Sequence, residues 1–239
     1  MYRMLSIALA AALSLPTLAH AADDTDGWSG QGELGYAAST GNTDTRNLVA
    51  KAALQKKIDL WTYGFGAAGQ WAKEDGEETA KRYEFFGNAA RDLNSLVYLK
   101  GAGRSERDHF SAYKYQTTAA AAVGFHAINT DRTKLDLEIG PGYRWAKLYD
   151  TLEEQNGAVA RGWADFSTKL TDTTSLFDTL LVESGSDNTY LQNDLGLQVQ
   201  MSSALALKLA YQVRRNSDVD SVDTKKTDTL TTVNLVYGF

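Results

Sequence analysis

From Trp28 to Phe239 the chain repeats one pattern: ten to fourteen residues in which apolar side chains alternate with polar or small ones, then a cluster of turn formers. Successive side chains of a strand point to opposite faces, so each such stretch predicts a strand with one apolar face. The third is the clearest. Trp61, Tyr63, Phe65, Ala67, Gly69 and Trp71 share a face opposite Thr62, Gly64, Gly66, Ala68 and Gln70. The first, at 28–39, sets Trp28, Leu34 and Tyr36 against Gln31 and Glu33, and the second sets Leu48, Ala50, Ala52 and Leu54 against Val49, Lys51, Ala53 and Gln55. The last sets Val233, Leu235, Tyr237 and Phe239 against Thr232, Asn234, Val236 and Gly238. Further strands are expected near 82–93, 96–107, 115–128, 133–148, 158–170, 175–183, 190–201, 205–216 and 226–239, about twelve in all. The stretch 175–183 is the least defined, because Leu176, Phe177, Leu180, Leu181 and Val182 occupy both of its faces.

The connections sort by length. Ile58-Asp59, Asn94-Ser95, 129–132, 171–174 and Ser202-Ser203 are tight, while 72–80, 108–114, 150–157 and 217–225 are longer and polar. Short turns at one end and long loops at the other are expected of a transmembrane antiparallel β-barrel of up-and-down order, with both termini in the periplasm. The alternative all-β fold is a soluble periplasmic β-sandwich with the apolar faces as its core. Trp61 and Trp71 lie ten residues apart, about 33 Å along a strand. Tilted by ~40–45°, that span becomes roughly 23–25 Å, the height of a lipid-facing apolar band between aromatic girdles. The closing strand ends on Phe239, and a terminal aromatic of this kind resembles the signal by which barrel-assembly machinery selects its substrates.

Volume decides which face is inside. The apolar faces carry many small residues, among them Ala50, Ala52, Ala67, Gly69, Gly101, Gly103, Ala119 and Ala121. A twelve-stranded lumen is too wide for these to fill, since about eight strands already make an interior that side chains just fill. The opposite faces carry Lys51, Glu84, Lys100, Arg104, Asp136, Glu138, Arg144, Arg161, Asp165, Lys208 and Arg214. Turned to lipid, each Lys or Arg at the midplane would cost about 2–4 kcal/mol. The expected arrangement is therefore apolar outward, with these residues lining the lumen. An unpaired buried charge is expensive, so ion pairs are expected among Lys51, Lys100, Arg104, Arg144, Arg161, Glu33, Glu84, Asp136, Glu138 and Asp165.

Residues 1–21 read as a cleaved signal peptide rather than as part of the fold. Arg3 gives a positive start, Met4 to Leu18 an apolar run, and Ala19-His20-Ala21 an A-x-A cleavage site. Cleavage would leave the barrel as residues 22–239, exported to the outer membrane among its lipid and lipopolysaccharide, and would move the formal charge from −6 to about −7 through loss of Arg3. No later run approaches the ~18 apolar residues of a membrane helix. The chain has no cysteine, which removes disulfide scaffolds and thiolate metal sites. Its acidic balance, without a dense basic cluster, argues against nucleic acid.

Three stretches resemble the salt-induced outer-membrane protein family: Ser39-Thr40-Gly41-Asn42-Thr43-Asp44-Thr45 after GYAAS, Leu137-Glu138-Ile139-Gly140-Pro141-Gly142-Tyr143-Arg144, and Lys225-Lys226-Thr227-Asp228-Thr229 leading to LVYGF. The similarity spans nearly all of the chain after the leader. It implies an outer-membrane barrel linked to salt or osmotic stress and brings no reaction with it. The residues themselves point to a narrow passive channel or an occluded structural barrel, with no cofactor.

The rival reading is a lipid-active hydrolase. His109 and Ser111, two residues apart on an extended chain, could face the same way as a base and a nucleophile. Their flanks Arg107-Asp108 and Ala112-Tyr113 do not match the outer-membrane phospholipases, and no Asn or Asp is clearly placed to orient the imidazole. His126 falls on the polar alternate of its strand, where a hydrogen-bonded lumen residue is expected. Asp218, Asp220 and Asp223 in one loop, and Glu74, Asp75, Glu77 and Glu78 in another, supply oxygens that suit Ca²⁺ or Mg²⁺. They lack the spacing of a dedicated site, and solvated charged loops are expected. Gly41-Asn42 lacks the strand–glycine–helix context of a phosphate cradle and reads as a turn.

Overall fold

The computed structural model describes residues 27–39, 44–218 and 225–239. The leader at 1–21, the Gly41-Asn42 turn, Asp220 and Asp223 lie outside them. Twelve strands follow in order: β1 (Trp28–Ser39), β2 (Thr45–Ile58), β3 (Trp61–Glu74), β4 (Glu77–Asp92), β5 (Val97–Asp108), β6 (Tyr113–Asn129), β7 (Thr133–Leu148), β8 (Gly157–Lys169), β9 (Thr174–Gly185), β10 (Thr189–Gln200), β11 (Leu205–Asn216) and β12 (Thr227–Gly238). Each pairs antiparallel with its sequence neighbours, and β12 returns to β1 to close the barrel. The sandwich alternative is thereby set aside. Closure leaves no strand edge, the condition that lets a sheet cross lipid with its backbone groups paired.

The alternation sorts side chains as volume requires. Leu34, Phe65, Phe85, Ile139, Val233 and Leu235 stand exposed on the outer surface, Ile139 at 67%. Among the described residues no helix is long and apolar enough to cross a membrane; the apolar surface belongs to strands. Trp61 and Trp71 sit at opposite ends of β3. Lys56 lies over the Trp28 ring at 5.5 Å, Lys73 over Trp71 at 5.3 Å and Arg91 over Trp61 at 5.8 Å. These amphipathic pairs suit the two interfaces of an apolar band, where a ring and a cation can each find their medium.

Two expected loops are corrected, and the ninth strand is borne out. The long loop at 72–80 is absent, and that at 108–114 shortens to residues 109–112 between β5 and β6. Strands β3 and β4 extend to Glu74 and Glu77, joined by Asp75-Gly76 with φ of 47° and 88°. Positive φ at both positions is the twist-matched hairpin turn that Asp-Gly favours. The doubtful ninth strand is a full strand, and its apolar residues divide. Register with β8 pairs Leu181 with Trp163 and Thr179 with Asp165, which turns Phe177 and Leu181 inward and Leu176, Leu180 and Val182 outward.

The seam is short, running only from Gln31↔Gly238 to Gly35↔Asn234, and is extended by the Gly30 N–H donating to Phe239 O at 2.8 Å and the Phe239 N–H to Gly30 O at 2.9 Å. The Phe239 ring lies over Gly30 where a Cβ would stand, whereas a Cβ on Gly32 would meet nothing within 4 Å. Gly30→Val is expected to displace that ring and destabilise the barrel by about 1–2 kcal/mol, the ordinary range of overpacking. Gly32→Val serves as the control that leaves the temperature of unfolding, followed by unboiled gel migration, unchanged.

An outward pair breaks the rule. Asp178, mid-strand in β9, faces the apolar surface and accepts a hydrogen bond from Asn193 Nδ2 at 2.5 Å. Asp178→Leu is therefore expected to stabilise the barrel in lipid by about 1 kcal/mol, since an acidic group there costs somewhat less than a basic one. Asn193→Leu alone should destabilise it, and urea titrations in vesicles distinguish the two signs.

Candidate functional site

The lumen is where this fold concentrates chemistry. Alternation and register place Lys51, Glu84, Lys100, Arg104, Asp136, Glu138, Arg144, Arg161, Asp165, Lys208 and Arg214 on the inward face. They do not spread evenly. Two groups form, one toward the long-loop end and one lower in the barrel.

The upper group centres on Glu106 of β5. Its carboxylate accepts hydrogen bonds from Arg82 at 2.7 Å, Arg104 at 2.9 Å and the Tyr190 hydroxyl at 3.3 Å. Arg82 also bonds Glu84. Arg104 carries the network across the lumen to Glu183 of β9 at 3.1 Å, and Thr118 donates to the same oxygen at 3.0 Å. Arg214 of β11 reaches Asp108 of β5 at 3.1 Å and lies 3.8 Å from Glu106. Strands β5 and β11 stand six places apart in a ring of twelve, so this bridge spans the barrel. Glu106 is 5% exposed and Glu183 1%. Above the ions, Asn188 donates to Asn216 at 2.7 Å and Gln116 to Asn216 at 3.4 Å, while the Asn188 carbonyl accepts from Arg144 at 2.8 Å.

The lower group has two foci. Glu138 accepts from Lys100 at 2.6 Å, Arg161 at 2.7 Å and the Tyr98 hydroxyl at 3.0 Å. Glu33 accepts from Lys208 at 3.0 Å and Gln31 at 2.8 Å. Other inward residues depart from the expected ion pairs. Arg144 bonds a carbonyl, Asp165 accepts from Thr179 at 3.0 Å, and Asp136 meets His126 at 2.8 Å. Lys51 has no hydrogen bond or close ion pair among the described residues; β3 separates it from Glu84, and Glu33, which faces it across the β1–β2 ladder and feels its charge, bonds Lys208.

The aromatics are seated by glycines. Phe86, Tyr98 and Phe177 point inward, each paired in register with a glycine of the next strand: Gly66, Gly124 and Gly196. Each ring covers its glycine so closely that a Cβ would collide with it. Glycine opposite an aromatic across the ladder is a recurring way to fill such a gap. Arg82, Glu106, Asp108, Glu183 and Tyr190 were not singled out by the sequence, although they fall on the same alternate as Glu84, Arg104 and Arg214. Their position near strand ends, where boundaries are least certain, hid them.

The other candidate chemistry finds different partners. Ser111 Oγ accepts from the Tyr113 N–H at 3.3 Å, and the His109 ring lies 6.4 Å from that of Tyr149, so the two side chains are not joined. Glu78 accepts from Trp71 Nε1 at 3.2 Å and Lys81 at 3.5 Å, and Asp75 accepts from the Asp44 N–H at 2.8 Å. Among the described residues no three His, Cys, Asp or Glu side chains gather as metal ligands.

Residues 32–239 match the family described as "Protein of unknown function, DUF481". The chain belongs to the DUF481 family. A relative is the uncharacterized protein YdiY of Escherichia coli (strain K12), 27% identical over 219 residues, which cover 88% of this chain and 83% of YdiY. Among solved structures, the COG4313 outer membrane channel from Pseudomonas putida F1 superposes with a TM-score of 0.54 at 10% identity, covering 95% of this chain and all of that one. The translocator domain of the autotransporter NalP from Neisseria meningitidis gives 0.50 at 14% identity, covering 92% and 89%. At such identities the likeness is one of fold: this DUF481 chain has the architecture of an outer-membrane β-barrel.

Because Glu106 serves three arginines at once, Glu106→Gln should cost far more than loss of an exposed pair, about 3–5 kcal/mol. Glu78→Gln at the rim should change stability by under about 1 kcal/mol. Urea midpoints of the two variants, compared with the parent barrel, test the contrast.

Proposed function

We propose that this protein is an outer-membrane barrel whose lumen is held shut by its own ion pairs, a closed passage for small polar or ionic solutes. The observation that carries the reading is the pair of lumen-crossing bridges, Arg104 to Glu183 and Arg214 to Asp108. Twelve strands give a lumen narrower than that of the 16–18-stranded open porins. Long side chains that meet across it leave no continuous wide path. Orientation follows from the loops: the short-turn end, which holds Trp28 and Phe239, faces the periplasm, and the ion-pair layer lies toward the outside.

The leader at 1–21 would take the chain through the inner membrane. The terminal strand would present Phe239 to the barrel-assembly machinery, and the apolar belt would then contact outer-membrane lipid and lipopolysaccharide. The motif resemblance supports a part in salt or osmotic stress, where a passage that opens only under load has an evident use. Nothing in the geometry of His109 and Ser111 favours the hydrolase.

Planar-bilayer recording tests the reading. The parent barrel is expected to give no steady conductance steps. Arg104→Ala combined with Arg214→Ala, checked for barrel formation by unboiled gel migration, should give small ones with charge-dependent selectivity. Large steady steps from the parent would overturn closure. Phospholipid hydrolysis that vanishes in Ser111→Ala would restore the enzyme.

A further inference from the structure

Below the Arg104–Glu183 bridge the lumen contains a cavity of about 320 Å³, room for roughly ten water molecules at ~30 Å³ each. Its wall mixes two chemistries. Phe86, Trp163, Phe177 and Leu181 contribute apolar surface to a wall that also carries charged side chains. This is the strand pair that spoils the clean alternation of the sequence: β9 is apolar on both faces because one faces lipid and the other lines this cavity. Lys51 supplies an ammonium group to the opposite wall.

The charges around the cavity are not equally engaged. Of its carboxylates, Glu84 is held by Arg82 and Glu183 by Arg104 and Thr118. Asp194 accepts from Gln192 at 2.8 Å and from Gln212 at 2.6 Å. Lys100 and Arg161 are spent on Glu138, and Lys208 on Glu33. Lys100 and Lys208 further lie over the Trp163 and Phe177 rings, at 4.4 and 4.6 Å, which fixes those rings in place. Lys51 alone among these cations has no hydrogen bond and no close ion pair among the described residues; Glu33 faces it across the β1–β2 ladder and feels its charge, but bonds Lys208 instead. The Lys51 side chain also borders an adjoining cavity of about 100 Å³. An ammonium with no hydrogen-bonded partner, facing a wall of rings, has the makings of a ligand site: apolar surface for affinity and one polar group for orientation.

We infer that this cavity binds a small organic anion with an apolar face, of the class of aromatic or short branched carboxylates. Its carboxylate pairs with Lys51, and its body lies against Trp163, Phe177 and Leu181. The inference deepens the reading of the lumen as a passage for small solutes by naming the class of solute, yet it needs only occupancy and not conduction. The two can therefore fail separately.

The test is a calorimetric titration of the full barrel in nanodiscs with benzoate, alongside benzyl alcohol, benzylamine and acetate. Benzoate is expected to bind saturably and to be preferred over the other three. Lys51→Gln, which breaks no hydrogen bond and leaves Glu33 held by Lys208, should fold normally by gel migration and weaken benzoate by about tenfold, the loss of one modest ion pair. Lys51→Arg should restore most of it. Phe177→Leu, which removes the ring from the wall, should weaken benzoate without altering the charge. Trp163 is the tryptophan that lines the cavity, while Trp28, Trp61, Trp71 and Trp145 lie on the outward alternate. Any fluorescence change on benzoate binding should therefore vanish in Trp163→Phe. Equal binding of benzyl alcohol or benzylamine, equal binding of acetate, or full affinity in Lys51→Gln would overturn the inference. A barrel that conducts freely but shows this binding would overturn closure and leave the site standing.

Discussion

Many of the charges inside this barrel, Glu106 and Glu183 among them, are buried from solvent, and much of the structure follows from that. Moving an ion out of water costs several kcal/mol unless partners replace the solvent. With carboxylates and guanidinium groups on facing walls, the economical solution is for them to meet in the middle. Glu106 shows the result: Arg82, Arg104 and the Tyr190 hydroxyl converge on one carboxylate, Arg104 reaches on to Glu183 of β9, and Arg214 of β11, 3.8 Å from Glu106, bonds Asp108. On the proposed reading, closure of the lumen is a by-product of that neutralisation. A barrel of larger radius has more room to keep its charges hydrated and separate.

The second constraint is steric and acts through glycine. Three inward rings and the terminal Phe239 each lie over a glycine of the neighbouring strand. A strand glycine weakens the ladder by leaving a gap in the side-chain layer. A cross-strand aromatic fills that gap without adding a strand. The same device therefore closes the seam outside and shapes the cavity inside, where Phe177 over Gly196 and Phe86 over Gly66 narrow the lumen.

Much of this was legible in the chain because period 2 carries two facts at once, the strand and its facing. Lys51, Glu84, Arg104 and Arg214 could be assigned to a face without any knowledge of their neighbours. Partners could not be assigned, since Arg214 meets Asp108 through closure of the ring, a relation more than a hundred residues long in sequence. The Asp75-Gly76 hairpin was hidden by charge: Glu74, Glu77 and Glu78 look like loop residues, yet a strand end beyond the apolar band can carry them freely. Strand β9 was obscured for the opposite reason. Alternation is a signal only when the two faces meet different media, and Phe177 and Leu181 face a lumen that is locally apolar.

That local departure bears on what the closed lumen is for. A barrel selected only for closure would gain by filling its whole interior with paired ions or with packed side chains, since every void forfeits dispersion contacts. Here the ion pairs cross the lumen near the long-loop end while the level beneath keeps a cavity, sets Lys100 and Lys208 over its rings, and gives Lys51 no close partner, only Glu33 facing it across the β1–β2 ladder. An ammonium that shares, at a distance, a carboxylate already held by Lys208 gains little from the fold. Its presence is better explained by a partner that arrives from outside the chain than by the needs of the fold.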